Sequence, residues 1–379
     1  MDLQHHHPTR VDAVRCCYND DATDLIAIAS EHSVDVLVVT DSACQILTSF
    51  HIGCRTTALA WSPLTVSPSS SDNWHIELAV AGADFGLHLL TKSSKDGESI
   101  FPFGGGLSGH HAKINDMTFC GGRSEDSTRY VATVSDDKML MVWDLHPTVD
   151  VSSHAPSPGL DLSENGTTPF PSDRPQPTAY VIPFSHPLTS ISSHPSTSKE
   201  FLVSDCRGSI FLTDWRSDPQ DMDQDSWRHS SLIELVEPTA LSDHLMGLSR
   251  HWVGSVDWRR DTTDIIGGVY GPKFSIWDIS HLRGGKPYAS GVSFPEGGHK
   301  FRWCPTYPDY FAISTQLPGK GAAVHVHNTN YLQAQPTVFN ILPRPHLVQD
   351  FDFLAVRGIP RIVAAVGRTV FIFSIGVES

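Results

Sequence analysis

Nowhere does this sequence run to the roughly 18 consecutive apolar residues that a membrane-crossing helix needs, so no transmembrane helix is expected. Cationic charge is scarce as well. Lys and Arg number 27 against 42 Asp and Glu, a net charge of −15 with histidine neutral. Tight direct nucleic-acid binding requires clustered Lys and Arg to displace counterions, and that class is set aside. The Arg259-Arg260 pair is too small to reverse the balance. An acidic surface suits a protein partner with basic patches, or simply keeps the chain dissolved. No C-x-x-C pair occurs among the seven cysteines (16, 17, 44, 54, 120, 206 and 304), which removes the usual zinc and redox signatures. Odd in number and mostly inside apolar strands, they read as small buried hydrophobes in a reducing compartment. The opening MDLQHHHPTR has no apolar h-region and does not read as a secretory signal. Its three histidines read as a solvated tail. Without a signal, the acceptor match at Asn165-Gly166-Thr167 carries no glycosylation.

What the sequence does have is strands. Apolar segments recur along the whole length between clusters of Gly, Pro, Asp, Asn and Ser. The most informative stretch runs from Gly109-His110 to Trp143-Asp144, with INDMTF and then YVATVSDDKMLMVWDL between them. A GH pair and a WD pair bracketing about 40 residues of strand, strand, turn and strand is one blade of a WD40-type β-propeller. Asp137 stands six residues before Trp143 in the tight turn, Ser135 two residues earlier, and His110 opens the repeat. Carboxylate, hydroxyl, imidazole and indole N–H can satisfy one another in a buried chain that pins turn and inter-blade loop. That structural network is preferred to a hydrolase triad, because no Gly-x-Ser-x-Gly elbow exposes Ser135.

The strand rhythm predicts an all-β fold, a single seven-bladed propeller over 1–379. The first blade spans Val11–Gly53, with LIAIAS, VDVLVV and CQILTSF. The second runs through TTALAWSP, HIELAVAG and GLHLLTK, keeping a turn carboxylate in Asp84 but placing Leu90 where Trp belongs. The third is the well-formed blade, Leu107 to His146. The fourth holds PLTSISSHP, EFLVSDC and SIFLTDW, with Asp214 and Trp215 reversed; the fifth holds WVGSVDW, DIIGGVYG and KFSIWDI, where Gly271 replaces the turn Asp ahead of Trp277-Asp278. FRWCPTYP, YFAIST and AAVHVHN form the sixth, and LVQDFDFL, RIVAAVG and TVFIFSI the seventh. The seventh lacks an outer strand, which either residues 2–10 or the strand starting at Val11 must supply.

Two insertions interrupt the rhythm. Residues 147–178, rich in Pro, Ser and Asp, read as a disordered loop between the third and fourth blades. Residues 216–250 begin with the acidic run DPQDMDQD and continue through SLIELVEP, read as the outer strand of the fourth blade. Leu241, Leu245 and Leu248 then share a face, which predicts one short helix.

Other motifs look chemical without carrying chemistry. Gly104-Gly105-Gly106-Leu107-Ser108-Gly109 formally fits G-x-G-x-x-G, but a strand follows where a dinucleotide site needs a helix, so it reads as an inter-blade turn. His325 and His327 alternate on one strand; with no third ligand they read as an outward-facing polar stripe. Trp61, Trp252, Trp258, Trp277 and Trp303 read as large rings filling space between blades. No catalytic residue, metal site, cofactor or small-molecule substrate is expected.

The opening GHHAKINDMTF joined to YVATVSDDKMLMVWDL resembles the small, thirty-seven-kilodalton WD-repeat nucleoporins of the nuclear pore's Y-shaped outer-ring complex. That resemblance implies a non-enzymatic scaffold subunit at the nuclear envelope, docked on a large propeller-plus-solenoid nucleoporin and supporting nucleocytoplasmic transport. It carries over only the third-blade network of His110, Ser135, Asp137 and Trp143; no partner-contact motif maps residue by residue. Two other classes stand beside it. One is an adaptor for another assembly, a histone-binding propeller or a ubiquitin-ligase substrate receptor, though W-D-x-R is absent at Trp143-Asp144 and Trp277-Asp278. The other, a propeller hydrolase or oxidoreductase, requires a convergent polar cluster at the central channel, and none is assembled from the sequence.

Overall fold

In the computed structural model the chain forms seven four-stranded antiparallel sheets. The structure describes residues 2–147, 175–216, 232–236, 253–282, 284–315 and 321–376, with isolated positions at 238, 240, 242, 246, 317 and 319. The first strand, β1 (Leu3–His6), belongs to the last blade. Blade 1 consists of β2 (Val11–Cys16), β3 (Leu25–Ser30), β4 (Ser33–Val39) and β5 (Cys44–His51). Blade 2 consists of β6 (Thr56–Trp61), β7 (His75–Gly82), β8 (Leu87–Ser93) and β9 (Ser99–Phe103). Blade 3 has β10 (Ile114–Phe119), the short helix α1 (Glu125–Arg129), β11 (Tyr130–Ser135), β12 (Met139–Asp144) and β13 (Thr178–Pro183). Blade 4 has β14 (Leu188–Ser193), β15 (Glu200–Asp205), β16 (Ser209–Asp214) and β17 (Leu232–Val236). Blade 5 has β18 (Ser255–Trp258), β19 (Ile265–Tyr270), β20 (Lys273–Asp278) and β21 (Ala289–Val292). Blade 6 has β22 (Gly298–Trp303), β23 (Tyr310–Thr315), β24 (Ala322–Asn328) and β25 (Thr337–Leu342). Blade 7 has β26 (Asp350–Leu354), β27 (Arg361–Val366) and β28 (Thr369–Ser374), completed by β1.

The innermost strands β2, β6, β10, β14, β18, β22 and β26 touch in turn and return to β2, closing the ring. Among the described residues no apolar cluster fills the centre. Seven apolar clusters instead straddle the seven seams between neighbouring blades. Middle strands are therefore covered on both faces and read as unbroken apolar runs. All six residues of β3 are buried, whereas outer strands such as β13 alternate toward solvent. Inner strands of five blades share a register irregularity near their start, at Val11/Ala13, Thr56/Ala58, Ile114/Asp116, Leu188/Ser190 and Gly298/Phe301. A bulge re-aims the side chains that follow it.

Several sequence expectations change here. Residues 2–10, rather than the strand at Val11, complete the seventh blade: β1 pairs antiparallel with β28, from Leu3 opposite Ile372 to His6 opposite Thr369. The histidine run is therefore not a solvated tail, and His7 Nε2 lies 3.2 Å from Asp35. The Pro-rich insertion does not separate blades 3 and 4. Thr178–Pro183 pairs with β12, so the excursion lies between the third and fourth strands of blade 3; its stretch 148–174 is outside the described residues. The predicted outer strand of blade 4 is present as β17. The helix expected around Leu241, Leu245 and Leu248 lies outside the described residues, and α1 falls instead between β10 and β11.

Deleting residues 2–7 should cost roughly 1–4 kcal/mol, from four cross-strand pairs at roughly 0.2–1 kcal/mol each. It should also bare the edge of β28 for pairing with another chain. Thermal melting and size-exclusion chromatography of the deletion check both effects.

Candidate functional site

In blade 3 the loop before β10 supplies His110, the β11–β12 turn supplies Asp137, and β12 supplies Trp143. Asp137 Oδ2 lies 2.8 Å from His110 Nδ1 and accepts the His111 amide at 3.0 Å. The other ring nitrogen lies 2.8 Å from Thr133 Oγ1, which accepts the Trp143 indole N–H at 3.0 Å. With Nδ1–H donating to the carboxylate, Nε2 is left to accept the Thr133 hydroxyl proton, and each group has its partner. Burial lowers the His110 pKa against the pull of Asp137. Burial works to raise the Asp137 carboxyl, but its bonds to His110 and two backbone amides outweigh this and hold it below the usual range.

Ser135 is not a link in that chain, contrary to expectation. Its hydroxyl donates to the Ala112 carbonyl at 3.1 Å and accepts the Asp137 amide at 3.2 Å. Thr133 takes its place because Trp143 pairs with Val131, which sets the indole nearer Thr133 than Ser135. The two residues share a face at β-spacing, so the sequence offers either. With its proton committed to a carbonyl, Ser135 forms no Ser–His–Asp triad. The glycine run joins β9 to β10 without a following helix, and its first member makes room for the indole. Gly104 has φ +61°, and a Cβ there would stand 2.9 Å from Trp143 Cη2.

Blades 2 and 5 keep fragments of this set. Asp84 Oδ1 caps its turn through the Gly86 amide at 3.2 Å, with the Cys54 thiol at 3.7 Å. The Trp277 indole donates to the Gly285 carbonyl at 3.0 Å. Trp61 and Trp303 bridge blades, donating to the carbonyls of Arg15 and Asp257 at 2.9 and 3.2 Å. His325 and His327 are no outward stripe. His327 is buried and stacks on Phe311 at 4.9 Å, and His325 stacks on Phe294 at 3.7 Å.

The polar channel cluster that sequence reasoning did not assemble is present. Arg15, Ala60, Thr118, Ser192, Asp257, Arg302 and Asp352, one residue from the same position of each inner strand, line a narrow cavity of about 140 Å³. Two residues earlier on the same faces stand Asp116, Ser190, Ser255, Lys300 and Asp350. Many of these side chains reach forward to the next blade's backbone. Asp116 accepts the Ile191 amide, Ser190 that of Val256, Ser192 that of Trp258, Ser255 that of Phe301, and Asp257 that of Trp303, at 2.9–3.4 Å. Across the closing seam Asp350 accepts from Val14 at 3.1 Å and Asp352 from Cys16 at 3.0 Å, and Tyr18 donates its hydroxyl to Asp352. Arg15 then ties two blades to a third, 2.6 Å from Asp350 and 2.9 Å from Asp116.

Burial works to raise the Asp116 carboxyl, yet Arg15, Lys300 and Arg302 outweigh it and hold it at about 2. Asp350 is lowered by the same cations against the same burial. At Asp257 and Asp352 burial wins, and both are raised despite Arg302. Burial likewise lowers Lys300. The chemistry of this ring is cohesion: hydroxyls and carboxylates spend their acceptor capacity on neighbouring blades.

Burial pushes His299 and His327 down to about 4, against an ordinary histidine value of about 6.5. A lowered folded value means stability that is present above about pH 6.5 and lost as pH falls toward 4. Urea unfolding between pH 7 and 4.5 should show that decline. His327→Phe, which keeps an aromatic ring against Phe311, should flatten part of it.

No protein-family model matches the chain. Nucleoporin Nup37 of Mus musculus is 25% identical over 288 residues, covering 76% of this chain and 69% of that protein. Nucleoporin Nup37 of Homo sapiens is 23% identical over the same length and shares. Among solved structures, the crystal structure of Chaetomium thermophilum Raptor matches with a TM-score of 0.63 and 14% identity. That match covers 99% of this chain but 29% of the other, and at this identity it bears on the fold alone. The chain is thus a β-propeller of WD-repeat type, similar to the small WD-repeat nucleoporin over three quarters of its length.

Proposed function

We propose that this chain is a non-enzymatic scaffold subunit of the nuclear pore's outer-ring Y complex, residing at the nuclear envelope. It docks on the large propeller-plus-solenoid nucleoporin of that complex and so supports nucleocytoplasmic transport. The observation that carries the reading is the likeness to Nup37 across 288 residues, far beyond the single well-formed blade. Two features support it. The network and channel groups are engaged in holding blades together, which leaves the rim and faces of a stiff ring for another protein. The net charge of −15 favours a protein partner over nucleic acid.

Affinity purification of the tagged chain from nuclear envelopes, with quantitative mass spectrometry, is the test. Y-complex subunits should be enriched with it. Recovery of the folded chain without any of them would end the reading.

A further inference from the structure

The outer strands of blades 5 and 6 border a groove of about 770 Å³. One wall is β21 with the residues that follow it; the other is β24 and β25. Val292 and Val338 face solvent from the two walls, 62% and 46% exposed. Exposed valines on both sides of one cleft form an apolar patch of the kind that marks interaction sites.

Two polar atoms in the same groove have no partner. Ser293 Oγ and His327 Nε2 are buried, and neither makes a hydrogen bond among the described residues. Both residues are more than nine-tenths buried, at 7% and 5% exposure. Buried polar groups are nearly always hydrogen-bonded, so two orphans in one lining mark this cleft as less completely satisfied than an ordinary core. The backbone offers more. As the last strand of its sheet, β21 presents an edge with no strand partner among the described residues, and Ser290, Gly291 and Val292 line the groove. An extended peptide can pair with such an edge while side-chain pockets select its sequence.

Charge completes the description of the occupant. Glu296 is the one carboxylate lining the groove, and among the described residues it forms neither ion pair nor hydrogen bond. A carboxylate at the side of an apolar cleft is complementary to a cation next to aliphatic side chains.

We propose that the groove between blades 5 and 6 receives an extended segment of a partner protein, with alternating aliphatic side chains and a lysine or arginine set against Glu296. The proposal rests on the scaffold reading only in taking the ligand to be a protein. Main-chain pairing along β21 supplies affinity, and Val292 and Val338 seat the aliphatic residues.

The test uses the full-length chain and a phage-displayed library of random twelve-residue peptides, counter-selected on the Val292→Asp variant. Selection should return an aliphatic-x-aliphatic pattern flanked by Lys or Arg. In fluorescence polarisation the best such peptide should bind Glu296→Lys and Val292→Asp at least tenfold more weakly than the unmodified chain. Ile46→Asp, equally exposed but on blade 1, should bind it normally, and all variants should melt together. Selection of no Val292-dependent peptide, of an acidic pattern, or of one indifferent to Glu296→Lys would overturn the proposal. The nuclear-envelope purification judges the scaffold reading separately, so either can fail alone.

Discussion

Replacing Arg15 by methionine should destabilise the chain by roughly 3–5 kcal/mol, the usual cost of removing one partner from a buried ion pair. Among the described residues Arg15 is the one cation in direct contact with both Asp116 and Asp350, and its loss leaves two buried carboxylates without an ion pair, offset only by the more distant Lys300 and Arg302. The penalty should be greatest near neutral pH. It should shrink in acid, where stranded carboxyls can take up protons. Combining Arg15→Met with Asp116→Asn and Asp350→Asn should recover only part of the loss, since each amide removes a buried charge but turns its NH2 toward one of the two backbone N–H groups that the carboxylate accepted. Urea midpoints at pH 7 and 4.5 measure all of this. A single variant within about 1 kcal/mol of the parent would mean that the ring is held chiefly by its apolar seams.

Trp143→Ala should cost a comparable amount, roughly 3–5 kcal/mol, as expected for deleting a buried aromatic. The indole is 1% exposed, packs edge-on to Phe103 at 5.8 Å and donates to Thr133. Thr133→Val, which keeps the shape and removes the hydroxyl between imidazole and indole, should cost about 1–3 kcal/mol by leaving two buried donors or acceptors unpaired. Ser135→Ala should cost less than Thr133→Val. These variants should act through folding, so that the surviving folded fraction still binds its partner. Normal melting with lost binding would place the network in an interface instead.

The blades were legible because each middle strand is a run of apolar residues closed by a turn, and seven such rhythms fit one length of chain. Outer strands were harder. Thr178–Pro183 follows a long polar stretch, exposes four of its six residues and ends on a proline, so nothing local marks it as the completion of blade 3. The same holds for Leu3–His6, whose partner lies at the other end of the sequence. The channel ring was missed for a different reason. DFDFL, SVDW, INDMTF and KFRW each show polar residues two apart within an apolar strand, but their convergence exists only once the ring is closed. Thr133 and Ser135 differ by one β-step, and only the strand register separates the one that meets the indole from the one that meets a carbonyl.

The pairing of β1 with β28 sets residues from opposite ends of the chain side by side, and Asp2 accepts both the amide and the hydroxyl of Ser374 at 2.7 and 2.6 Å. The propeller is therefore clasped like a bracelet, and its fastening is non-covalent. A pair of fluorophores near residues 2 and 376 would report the clasp coming undone while the remaining blades stay intact.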